Sequence, residues 1–87
     1  MKIKKQLIKR DIAGDTILVP VGKTVYASKG LFVMNEIASF IWDKLPDANG
    51  EEEIVNALLE AYEVTQEEAF ADTVDFLKQL REMNIIE

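Results

Sequence analysis

The chain has 87 residues, 48% of them hydrophobic, with 16 acidic and 10 basic side chains, a formal charge of −6, and neither histidine nor cysteine. That length fits one domain, residues 1–87, with a single small core. The missing residue types exclude disulfides, thiolate and imidazole catalysis, and the usual zinc, copper and haem ligand sets, and no cofactor is expected.

Two partner classes are disfavoured by the same counts. A nucleic-acid binder gains affinity by neutralising phosphates, which an acidic chain does poorly. No apolar run approaches the roughly 20 residues of a membrane span. Met1 to Gln6 are basic but precede no apolar signal core, so the expected location is cytoplasmic. The charge is also unevenly placed. Through Lys44, eight basic residues face four acids, a net of +4; from Leu45 onward two face twelve, a net of −10. Acids that gather at helix starts and on exposed helix faces produce such a bias without any binding role.

In chain order, Leu7-Ile8 and Ile12 form a first strand, and Ala13-Gly14-Asp15 a turn whose glycine accepts positive φ. Thr16-Ile17-Leu18-Val19 is β-branched and forms a second strand, and Pro20 restricts it to an edge or an end. Gly22-Lys23 reads as a loop, and Val25-Tyr26 either pairs or packs. Lys29 to Met34 reads as a third short strand, in which Gly30 permits a bulge or a close backbone approach.

The period then becomes helical. Asn35 is an N-cap for a helix whose stripe is Ile37, Ile41 and Leu45, with Ala38 and Trp42 beside it. Pro46 to Gly50 ends that helix. Glu51-Glu52-Glu53 opens a second, which buries Ile54, Val55, Leu58, Leu59 and Tyr62. Thr65 and Glu68 form a capping box for a third helix running to about Met83. Asn84 follows as a left-handed cap, and Ile85-Ile86 fold back on the core or extend as a tail. Strands followed by helices make this an α+β chain.

The third helix carries a wide apolar face. At 100° per residue with Ala69 at zero, its apolar positions run from about −40° at Met83 to about 140° at Val74, wider than one core requires. One flank, Phe70/Val74 or Phe76/Met83, is therefore free to line a groove, unless a small protein simply buries more of its last helix.

Other constellations fail on chemistry. The carboxylate pairs are local helix-face neighbours with nothing to raise a pKa for acid–base work. Asp47 to Glu51 places its glycine at the wrong position for a calcium loop. Ser28 and Ser39 do not sit as a carrier-domain attachment serine, the chain lacks a terminal Gly-Gly, and its four glycines are scattered singly. A binding protein is expected, with no catalytic residues.

The order of these elements, with Gly14-Asp15, Ile17 to Val21, Gly30 to Glu36, Phe40-Ile41-Trp42, Glu53-Ile54-Val55, Leu58-Leu59, Tyr62, Asp72, Phe76-Leu77, Leu80 and Ile85-Ile86, resembles the PqqD-like family over nearly the whole chain. The resemblance implies a small winged helix-turn-helix with three short N-terminal strands followed by three helices. It further implies a RiPP recognition element, a peptide chaperone that binds the leader of a ribosomally made precursor. Such an element presents that leader to a modifying enzyme, commonly a radical SAM enzyme. The family's leader adds beside the third strand and packs against the third helix. Carried over, that mode assigns Lys29, Gly30, Leu31, Phe32 and Val33 on the strand, and Asp72, Thr73, Phe76, Leu77 and Gln79 on the helix.

A strand edge pairs through its backbone and leaves specificity to side-chain pockets. The basic strand half favours an acidic leader, and an open edge also allows a homodimer. The alternatives are a winged-helix DNA-binding regulator, which the acidic helices oppose, and a small protein–protein adaptor.

Overall fold

The computed structural model describes residues 1–5, 7–21 and 32–87. Lys29, Gly30 and Leu31, and the expected loop and pairing segment at Gly22-Lys23 and Val25-Tyr26, lie outside the described residues.

Strand β1 (Leu7–Ile12) runs antiparallel to β2 (Asp15–Pro20), in register from Leu7 opposite Pro20 to Ile12 opposite Asp15. That register leaves Ala13 and Gly14 as the hairpin turn, with φ of 52° and 88°. Two consecutive left-handed residues make the turn whose twist matches its flanking strands. Gly14 takes this conformation freely, whereas Ala13 holds it against its own Cβ. Pro20 closes β2, where its missing N–H costs the ladder least. Strand β3 (Phe32–Met34) pairs antiparallel with β2, placing Leu18 opposite Phe32 and Thr16 opposite Met34, in the order β1-β2-β3.

The period of two divides this sheet, except that Ile17, opposite Val33 on the outer face of the central strand, is buried as well. Leu18 and Met34 are buried against the helices, while Ile8, Ile12 and Val33 on the other face are exposed. Three helices lie behind the sheet among the described residues. Helix α1 (Glu36–Lys44) starts where Asn35 Oδ1 accepts the Ala38 N–H at 2.8 Å. A 3-10 turn (Leu45–Asp47), with Pro46 in its first positions, ends it. Helix α2 (Glu51–Ala61) carries its three glutamates in the first turn, next to the positive end of the helix dipole. Helix α3 (Gln66–Glu82) begins at Thr65, whose Oγ1 accepts the Glu68 N–H at 3.1 Å.

Asn84 terminates α3 with φ of 59°, and the chain folds back. Ile86 forms an antiparallel bridge with Ile3, and the Lys4 N–H donates to the Ile85 carbonyl at 2.6 Å. Both isoleucines are buried, so they complete the core instead of trailing from it. That core joins Leu18 and Met34 to Ile41, Trp42 and Leu45 of the first helical segment, Ile54 and Leu58 of α2, and Leu77 and Leu80 of α3. Trp42 is thus a packing residue, as its place in the apolar stripe implies. No helix among the described residues is long and apolar enough to cross a membrane.

Candidate functional site

A three-stranded sheet has two outer strands, and their edges differ in chemistry. β1 carries Lys9 on the face that looks toward the helices, opposite Leu18 in the register. Its Nζ reaches α1, donating to Ser39 Oγ at 3.0 Å and to Asp43 Oδ2 at 2.6 Å. Arg10 and Asp11 follow directly. An inward-pointing charge at the middle of an outer strand opposes pairing with another chain, because a strand added there would bury an ion pair. Over its described residues β3 carries no such charge. Phe32, Val33 and Met34 are all uncharged, and among the described residues β3 has β2 on one side and no strand on the other.

Beside β3 lies a groove of about 250 Å³ between that strand, the start of α1 and one flank of α3. Its floor is apolar, made of Phe32, Ile37, Ala38 and Phe76. The Phe32 and Phe76 rings meet edge to face, with centroids 5.7 Å apart and planes at 66°. That arrangement fixes strand against helix and suits the charge distribution of aromatic rings. Val33 and Asn35 border the groove, and Asp72, Asp75 and Gln79 form its wall on α3. The Gln79 side-chain amide donates to Asp75 Oδ2 at 2.9 Å, which holds both groups along the wall.

Of the residues assigned from the sequence, Phe32, Val33, Asp72, Phe76 and Gln79 therefore come together at one groove. Thr73 and Leu77 do not join them, since both are fully buried on the core side of α3. The helical wheel carries the reason. Relative to Ala69, Thr73 sits at about 40° and Leu77 at about 80°, within the apolar arc, whereas Asp72 and Gln79 lie near −60° and −80°, beside Phe76 at −20°. The flank bordering the groove is that of Phe76. Phe70, on the opposite flank, is 54% exposed and stands apart from it.

Sequence reasoning missed Asn35, Ile37, Ala38 and Asp75. Asp75 was legible, because it lies one helical turn from both Asp72 and Gln79. Ile37 and Ala38 were not, because they share their stripe with the core residues Ile41 and Leu45. The site thus offers a backbone edge, an apolar floor and two carboxylates.

These features coincide with a family assignment. Residues 16–86 match the family described as Coenzyme PQQ synthesis protein D (PqqD). The chain belongs to the PqqD family. Two solved structures share its fold. One is TbiB1 in complex with the TbiA(beta) leader peptide, 28% identical, with a TM-score of 0.74 over 100% of this chain and 95% of that one. The other is lasso peptide synthetase B1 complexed with the leader peptide, 19% identical, with a TM-score of 0.71 over 98% of this chain and 93% of that one. The second likeness is one of fold alone. No curated protein matches the sequence.

Proposed function

We propose that this PqqD-family chain is a RiPP recognition element. It binds the leader of a ribosomally synthesised precursor peptide as an added strand on β3 and presents it to a separate modifying enzyme. The observation that carries this reading is an outer strand, uncharged over its described residues Phe32–Met34, with a groove beside it that joins an apolar floor to a polar wall. An extended peptide alternates its side chains at a period of two, so alternate residues of an added strand point into the groove while its backbone pairs with β3. The similar TbiB1 chain, 28% identical, is seen with a leader peptide, which supports the same ligand class here.

In this reading Phe32, Phe76 and Gln79 contact the leader's inward side chains, Val33 borders it, and Thr73 and Leu77 support the helix from the core. Lys29, Gly30 and Leu31 are assigned to leader contact by family resemblance alone. Residues 1–87 act as one cytoplasmic binding domain, and the chemistry belongs to the partner enzyme, of the radical SAM class. The same edge can pair with a second copy when no leader is present.

Leader peptides encoded by short reading frames beside the gene provide the test. Titration into isotope-labelled protein should shift the amide resonances of β3 and of Asp72 to Gln79 in α3, with saturation at one peptide per chain. Shifts confined to β1 or to α2 would overturn the binding mode, and no shift with any such peptide would overturn the function.

A further inference from the structure

The summed charge of the strand half, +4, favours an acidic leader, yet none of its six described basic side chains (Lys2, Lys4, Lys5, Lys9, Arg10 and Lys44) lines the groove, and four of them are engaged elsewhere. Lys2 pairs with Glu87, Lys9 with Asp43, Lys4 donates to Asn84, and Lys5 donates to the Met83 carbonyl. Among the described residues, the charge that faces the groove is of the opposite sign. Asp72 and Asp75 stand three residues apart on one flank of α3, so their carboxylates repel. Neither is ion-paired among the described residues. Gln79 satisfies one oxygen of Asp75 and leaves the second free to accept. With a screening length of about 8 Å at physiological salt, charges lining the groove outweigh a sum taken over half the chain.

We propose that the leader segment seated on β3 is basic at the groove, presenting a lysine or arginine to Asp72 and Asp75 while an apolar neighbour two residues away fills the Phe32–Phe76 floor. This rests on the leader-binding reading above and deepens it by assigning the charge of the ligand. The spacing follows from the site. Residues two apart on an added strand point the same way, so one can enter the floor while the next inward residue stands against the wall. Lysine and arginine suit that second position, since their apolar stems can lie along the groove while the cationic tip reaches the carboxylates.

The test is selection of random dodecapeptides displayed on phage against the whole protein and against an Asp72→Asn/Asp75→Asn variant. Both substitutions are at exposed positions and keep an acceptor for Gln79, and matching circular dichroism spectra establish that the variant is folded. The wild type should enrich peptides with an apolar residue and a lysine or arginine two positions apart. The variant should keep the apolar preference and lose the basic one. A synthesised winner should bind the variant about three- to tenfold more weakly at low salt, as expected for exposed ion pairs, and the difference should shrink as salt rises.

Each other outcome decides a distinct point. Enriched peptides that shift β3 and α3 but are neutral or acidic at that position overturn the charge assignment and leave leader binding intact. So does a basic preference that survives in the variant. Enrichment of no peptide, or of peptides that shift neither β3 nor α3, overturns the leader-binding reading and the charge assignment with it.

Discussion

Thr73 lies fully buried in α3, and its Oγ1 has no hydrogen-bond partner among the described residues. A buried hydroxyl without a partner costs on the order of 1–3 kcal/mol in mutational series. Thr73→Val keeps the shape and removes the hydroxyl, so it should stabilise the protein by about 1 kcal/mol. For a chain of this size that raises the melting temperature by about 4–8 °C. Affinity for a leader peptide should stay unchanged, whereas a drop in affinity would return Thr73 to the binding surface. A second residue under strain is Ala13, with φ of 52°. Left-handed backbone costs an ordinary side chain about 1–2 kcal/mol, and Asn-Gly is favoured in a two-residue hairpin turn. Ala13→Asn should therefore stabilise the hairpin by about 0.5–1 kcal/mol, read from the urea midpoint at constant slope. Neither residue was fully legible in the sequence. The turn was clear from Gly14, but only the strand register shows that Ala13 shares its geometry.

At the scale of elements, the sequence reads well where local chemistry sets a boundary. Asn35 and Thr65 cap α1 and α3 as their side chains predict, and Asn84 ends α3 in the left-handed region. It reads poorly where a boundary depends on neighbours. Whether Ile37 and Ala38 serve the core or the groove depends on where β3 crosses, which periodicity cannot say. The contrast between the two outer strands is likewise tertiary, because Lys9 protects β1 only by turning inward to Ser39 and Asp43. Lys9→Leu should remove that protection and lengthen the uncharged edge. Sedimentation velocity should then show concentration-dependent association for the variant beyond that of the wild type. A variant that sediments as the wild type does would mean that Lys9 has no part in keeping β1 unpaired.

For the whole molecule, the +4 half and the −10 half meet where the N-terminal residues cross the end of α3, with an ion pair between Lys2 and Glu87 joining them. Residues 1–5 lie across the end of α3. There the Lys5 ammonium meets the Met83 carbonyl at 2.8 Å, where the helix dipole is negative, and Lys2 stands 3.8 Å from Glu87. Exposed ion pairs of this kind contribute roughly 0–1 kcal/mol each, so they orient the segment while apolar burial holds it. Ile86 is 2% exposed, and Ile3 packs against the same core opposite it in the bridge. Ile86→Ala should cost about 2–5 kcal/mol, the range for truncating a buried isoleucine. Ile3→Ala should cost less, because Ile3 is only half-buried. The two residues face each other, so their effects should not add. In a double-mutant cycle by urea denaturation, the pair should lose less than the sum of the singles by about 0.5–3 kcal/mol, the range for residues in contact. Strict additivity would mean that residues 1–5 and the last residues contribute to the core independently. The fold would then close at Asn84 without the strand-like bridge that joins its two ends.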